Sequence, residues 1–223
     1  MTEFWHAGLA LLLGGLVGQL MNSVVESLPR ALERQGETTE PSIFSTSTLR
    51  RRFHLTPWLG AGLTWLVVLR FGFHAPTLWA LIFTWGLLAL SFIDLEAHLL
   101  PDALTLPLLW GGLLMNALGM GFALPADAIW GAALGYGFLW TVDTLYQKWA
   151  GRPGLGGGDF KMMGALGATL GWQVLPMVVL MASLLGILAA LPMLLKTRNI
   201  SLGQALPFGP FLALAGIGGI LFR

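Results

Sequence analysis

An all-helical bundle that crosses a membrane about eight times is the fold class this sequence predicts, and three observations predict it. First, the chain of 223 residues is 56% hydrophobic and 10% charged, against roughly 25% charged in an ordinary soluble domain. Its mean hydropathy is +0.75, so there is too little polar surface to cover a water-facing fold. Second, the apolar residues fall in long runs without alternation, the pattern of spanning helices rather than barrel strands. Third, Lys and Arg gather at alternate junctions between the runs. A disordered chain is excluded. So is a nucleic-acid partner, because a net charge of +1 draws no polyanion. Cysteine is absent, which removes disulfides, thiolate zinc sites and cysteine nucleophiles.

In chain order the predicted spans are 7–28, 57–69, 76–92, 103–120, 125–149, 160–170, 172–195 and 205–222. The first begins after Met1-Thr2-Glu3, which lacks the basic start of a cleaved signal, so it is expected to stay. Its Gly14-Gly15 pair, like Gly131 with Gly135 in the fifth, permits close helix contact. The spans 57–69 and 160–170 are short for a crossing. No internal repeat is visible, and residues 1–223 read as a single membrane-embedded domain. Its one long polar segment is the 29–56 loop, where Arg30, Glu33, Arg34 and Glu37 have the spacing of helical charge pairs.

Arg30, Arg34, Arg50, Arg51 and Arg52 lie between the first two runs. Lys148, Arg152 and Lys161 flank the junction of the fifth and sixth, and Lys196 and Arg198 separate the last two. With the N-terminus outside, all these junctions fall on one face. Of the 12 basic residues only Arg70 and Arg223 lie elsewhere. An even number of spans, with both termini outside and the 29–56 loop inside, follows from the positive-inside rule. Arg50-Arg51-Arg52 reads as an anchor on anionic lipid or as a substrate-facing cluster.

Carboxylates at membrane depth are costly, so they mark a function or a paired site. Asp94 closes the third run, Asp102 opens the fourth and Asp159 opens the sixth. The predicted topology puts all three near the basic, cytoplasmic face. Asp94 lies at a helix C-terminal end, where the macrodipole disfavours an anion; the plain alternative is a carboxylate reaching interfacial water. Asp102 follows Pro101 and reads as a helix cap, or as part of the chemistry. Asp159 completes Gly156-x-Gly158-Asp159, in which glycine lets backbone approach a peptide closely; capping is again the alternative. Asp143 reads as a structural partner of Lys148 or Gln147, and Glu26 as a partner of Arg30 or a binding residue. His6, His54, His74 and His98 fall at separate junctions without metal-ligand spacing. His98 is near enough in sequence to hydrogen-bond Asp94 or Asp102, or to face interfacial water. The 10 Trp residues fit interfacial belts.

Four blocks, in this order, resemble one family almost end to end. They are Gly18-Gln19-Leu20-Met21-Asn22 with Leu28-Pro29; Ile93-Asp94 through Pro101-Asp102, followed by Leu104-Thr105-Leu106-Pro107; Gly156-Gly157-Gly158-Asp159-Phe160-Lys161; and Pro207-Phe208-Gly209-Pro210. The family is the type IV prepilin peptidases, GxGD aspartyl proteases of the membrane. The resemblance implies an enzyme of the bacterial inner membrane with both termini periplasmic. It would cut the basic leader from type IV prepilins or type II secretion pseudopilins, after a glycine, at the cytoplasmic face. Asp94 and Asp159 match the family's two catalytic aspartates. Asp102, Gly156, Gly158, Lys161, Glu26 and Asn22 fall to supporting or substrate-binding roles, and membrane lipids surround the bundle. Many members also methylate the new N-terminus with S-adenosylmethionine. Cleavage itself would need no cofactor. Many members hold zinc through paired cysteine motifs in the first loop; the 29–56 loop has none, so zinc is not expected. Gln19 stands where the family usually has serine, and Ser27 where it commonly has a basic residue before Leu-Pro. The family ties methyl transfer to that region.

Two carboxyl groups hydrolyse a peptide when they are close enough that one is ionised and the other protonated near neutrality, the apparent values belonging to the pair. The ionised one takes a proton from attacking water and the other donates to the carbonyl oxygen. The junction glycine of the substrate would allow the extended backbone such a site needs. The competing class is a proton- or cation-coupled transporter built on intramembrane carboxylates; against it, the acids cluster at one face rather than the midplane. The cysteine-free loop generates a prediction: strong chelators leave prepilin cleavage unchanged in a reconstituted assay, and a loss that added zinc restores would contradict it.

Overall fold

Proline and glycine punctuate the chain. The computed structural model describes residues 14–19, 56–72, 74–196 and 207–222. Within them every regular element is helical: a turn at 14–19, then α1 (Thr56–Phe71), α2 (Ala75–Ala97), α3 (Asp102–Ala117), α4 (Pro125–Ala150), α5 (Gly157–Leu170), α6 (Leu175–Lys196) and α7 (Gly209–Leu221). A single 3-10 turn, Trp172–Val174, leads into α6. Proline stands in the first turn of α2, α4 and α7, where its fixed φ suits a helix start. Gly151 closes α4 in the left-handed conformation at φ 72, which glycine adopts without a Cβ penalty.

These helices fall where the apolar runs predict them, with boundaries moved by local caps. The second runs to Ala97 rather than 92, because a left-handed His98 ends it, with its N–H on the Asp94 carbonyl at 2.9 Å. The predicted 160–170 span starts at Gly157. Two helices are long and apolar enough to cross a membrane, Pro76–Ala97 and Trp172–Leu191. On α6 the side chains of Met177, Leu180, Leu184, Ile187, Leu188 and Leu191 all point away from the protein. A continuous outward stripe of this kind is stable against lipid and a liability against water.

The chain divides into two compact units, Met1–Leu99 and Leu100–Arg223. In the first, α1 packs on α2, and the Trp85 indole N–H donates to Thr64 Oγ1 at 3.0 Å. The expected glycine contact is present there. A Cβ on Gly14 would lie 2.7 Å from Ala61 Cα and 2.8 Å from the Gly60 carbonyl oxygen, whereas Gly15 faces open space.

In the second unit α5 is the centre. Every residue from Met162 to Leu170 is buried, and α3, α4 and α7 pack around it. Such a helix is apolar on all sides because no side of it meets solvent. Its closest neighbour is α4. A Cβ on Gly131 would overlap the Gly167 carbonyl, and one on Gly167 would overlap Gly131. One on Gly135 would sit 2.6 Å from the Met163 carbonyl oxygen. From the other side, a Cβ on Gly112 of α3 would come within 3.0 Å of the Ala168 backbone. The far end of α5 is pinned by Asn116. Its Nδ2 donates to the Ala168 and Thr169 carbonyls at 2.7 and 3.1 Å, and its Oδ1 accepts the Ala123 N–H at 2.7 Å.

Because the obstacle at Gly131 is backbone, a methyl group there has nowhere to go, and overpacking of this kind costs about 1–3 kcal/mol. Gly131→Ala is expected to lower the thermal unfolding midpoint in detergent. Gly137→Ala, on the same helix but facing open space, leaves it unchanged or raises it. Equal midpoints for the two variants would refute close α4–α5 packing.

Candidate active site

The two acids singled out from sequence are both buried, each 6% exposed, and each stands at a helix end. Asp94 occupies the last turn of α2, in the first unit. The helix stops one turn later because His98 takes φ 50 and ψ 36, the only positive φ of a non-glycine among the described residues. That conformation is tolerated by His more often than by most residues. His98 therefore reaches Asp94 through its backbone. Its imidazole Nε2 is buried and makes no hydrogen bond, so that nitrogen does not face the interfacial water that the sequence suggested for His98.

Asp159 lies in the first turn of α5, in the second unit. It is not the N-cap residue; Gly156 is. From the third helical position its Oδ2 reaches back and accepts the Gly156 N–H at 3.0 Å, the acidic half of a capping box. A helix N-terminus is also where the dipole favours negative charge.

Asp102 corrects a second capping expectation. Pro101 is the N-cap of α3, and Asp102, in the first turn, makes no capping bond. Its carboxylate instead accepts from Lys161 Nζ at 2.5 Å, joining the start of α3 to the start of α5. Both side chains are part exposed, at 32% for Lys161 and 56% for Asp102, so the bridge contributes at most about 1 kcal/mol. Its use is registration: it brings together two residues read separately from the sequence. Gly158 adds a steric lock, since a Cβ there would lie 2.5 Å from Leu100 Cβ and 3.1 Å from the Leu100 carbonyl. Gly157 faces open space.

Asp143 is where sequence reasoning missed the partner. Lys148 is five residues on, about 140° around a helix of 3.6 residues per turn, so the two do not share a face. The Asp143 Oδ1 accepts the backbone N–H groups of Gly154 and Leu155, at 2.7 and 2.9 Å. Gly154 is further fixed by the Tyr146 ring, 2.8 Å from where a Cβ would stand. Asn22, Glu26 and the 29–56 loop up to residue 55 lie outside the described residues. Among the described residues, no three His, Asp or Glu side chains are grouped as a metal site would require.

Each unit thus holds one buried acid near a helix end, Asp159 behind a glycine-rich loop, in a helical chain with two helices long and apolar enough to cross a membrane. The model of the Type IV leader peptidase family matches residues 81–191, a stretch that contains Asp94, Asp102, Asp159 and Lys161. Curated relatives carry the name prepilin leader peptidase/N-methyltransferase. That of Pseudomonas putida is 38% identical, with 100% of this chain and 92% of the relative aligned. That of Aeromonas hydrophila is 48% identical over 74% of this chain and 56% of the relative. That of Pseudomonas aeruginosa is 38% identical over 92% of this chain and 87% of the relative. No solved structure matches. The chain belongs to the type IV leader peptidase family.

The steric lock predicts an asymmetry inside Gly156-Gly157-Gly158. Gly158→Ala lowers the unfolding midpoint, at a cost of about 1–3 kcal/mol, whereas Gly157→Ala is neutral. Equal tolerance of both would show that Leu100 does not pack where it is described.

Proposed function

We propose that this protein is a prepilin peptidase, a membrane aspartyl endopeptidase that removes the basic leader of prepilins or pseudopilins after a glycine at the cytoplasmic membrane face. The observation that carries this reading is the family match over 81–191, which takes in two acids that are each buried. The transporter reading has no finding in its favour.

In the proposed chemistry Asp94 and Asp159 act as a pair. One carboxylate removes a proton from water as its oxygen attacks the scissile carbonyl. The other, protonated, donates to the carbonyl oxygen, and the two exchange roles as the amine leaves. Gly156 and Gly158 leave room for an extended substrate backbone. Asp102 and Lys161 hold the α5 start. The whole chain serves as one catalytic domain with eight spans, both termini periplasmic, in the bacterial inner membrane. Support comes from the helices that recur at the predicted positions and from the apolar stripe of α6. The substrate's own apolar helix lies in the lipid, and its charged leader stays on the basic side.

The N-methyltransferase part of the relatives' name extends to this chain as a second proposed activity. S-adenosylmethionine would supply the methyl group. The N-terminal region tied to methyl transfer, with Asn22 and Glu26 read there as supporting or substrate-binding residues, lies largely outside the described residues, and no cleavage step depends on the methyl donor.

Asp94→Asn and Asp159→Asn should each reduce cleavage of co-reconstituted prepilin by about a hundredfold or more, the scale of a lost acid–base group. Membrane insertion and unfolding midpoint should hold. Asp102→Asn retains part of the activity, since only an exposed bridge is lost. Processing at the normal rate by either of the first two variants would sink the pairing.

A further inference from the structure

Three consecutive backbone N–H groups lead into α5, and two carboxylates accept all three. Asp143 Oδ1 takes those of Gly154 and Leu155 at 2.7 and 2.9 Å. Asp159 Oδ2 takes that of Gly156 at 3.0 Å. The turn is thus strung between α4, which supplies Asp143, and the acid it delivers. Asp143 lies seven residues before the end of α4 at Ala150, on a helix already locked to α5 through Gly131 and Gly135. Its carboxylate is therefore a fixed post, and the Tyr146 ring, one turn away on α4, closes on Gly154 from the side.

We propose that Asp143 is a positioning residue for peptide cleavage, holding the glycine-rich loop in the one form that presents the Gly156 N–H to Asp159. The segment 154–158 is glycine at every position but Leu155, so on its own it has the most backbone freedom a chain can have. Two bonds to one charged oxygen, each stronger than a neutral pair, remove that freedom. Without them the Gly156 N–H is no longer held on the Asp159 carboxylate, which loses that fixed contact. Asp143 touches no substrate in this account. It acts through the loop, and the idea rests on the reading of Asp159 as a cleaving acid.

What Asp143 supplies is an acceptor oxygen at a fixed point, which Asn also supplies and Ala does not. Steady-state cleavage is measured for wild type, Asp143→Asn and Asp143→Ala, each at equal membrane content. The expected result is a kcat for Asn within about threefold of wild type, and a kcat for Ala at least tenfold lower with KM within about twofold. A second readout needs no activity. The chain has no cysteine, so a Gly157→Cys substitution, at a site open to solvent, carries a single spin label beside the loop. Label mobility should rise with Asp143→Ala and not with Asp143→Asn. Should the Ala protein not accumulate, Asp143→Ser, too short to hold both donors, takes its place in both measurements with the same expected direction. Wild-type kcat in the Ala variant, a loss confined to KM, or an unmoved label would each overturn the positioning role. If instead wild type fails to cleave prepilin while the label still responds, the loop post stands and the peptidase reading is what falls.

Discussion

The second unit depends on how closely α5 can be approached. Gly131 and Gly167 meet backbone to backbone, with no room for a methyl group on either. Gly135 and Gly112 bring α4 and α3 onto the same helix at other levels. Between helices in lipid there is little hydrophobic force to gain, so dispersion across such small-residue contacts carries much of the association. The consequence is stiffness. A helix of only 14 residues, too short to span by itself, becomes the best-sheathed element of the described chain, with Asn116 pinning one end and the Asp102–Lys161 bridge at the other.

That stiffness fixes Asp159. A carboxylate on a loose helix would swing to the nearest water. Asp159 stands in the first turn of a helix that cannot shift, with a backbone N–H fixed against one of its oxygens. Asp94 is set differently, at the closing turn of α2, where His98 turns the chain sharply through its left-handed backbone. The two acids meet opposite ends of helix dipoles, so their surroundings are unlike. Unlike surroundings are what a pair of identical side chains needs if the two are to play different parts.

Much of this was legible in the residues. The apolar runs marked the helices, and the Gly131/Gly135 and Gly14 contacts followed from small residues at helical spacing. The place of Asp94 and Asp159 at the ends of apolar runs was legible, whereas their burial comes from packing. What the sequence did not give was partnership across the fold. Lys161 meets Asp102 because α3 and α5 start side by side, a fact of packing that no spacing rule contains. Asp143 has a structural role, yet it bonds neither Lys148 nor Gln147; its partners are the backbone N–H groups of Gly154 and Leu155, which leave no mark in residue type. A rule that a membrane-depth acid without a cation three or four residues away must seek backbone N–H groups would have pointed to the glycine-rich loop.

The central claim is that Asp94 and Asp159 work as one unit, and a double-mutant cycle on cleavage tests it most directly. Residual rates are measured under single turnover for Asp94→Asn, Asp159→Asn and the double variant, each reconstituted with the same prepilin. Residues that share one proton inventory are strongly non-additive, because removing either already disables both. The account predicts a double variant no slower than the slower single variant, within about threefold. Losses that multiply would contradict it and would make the two acids independent contributors.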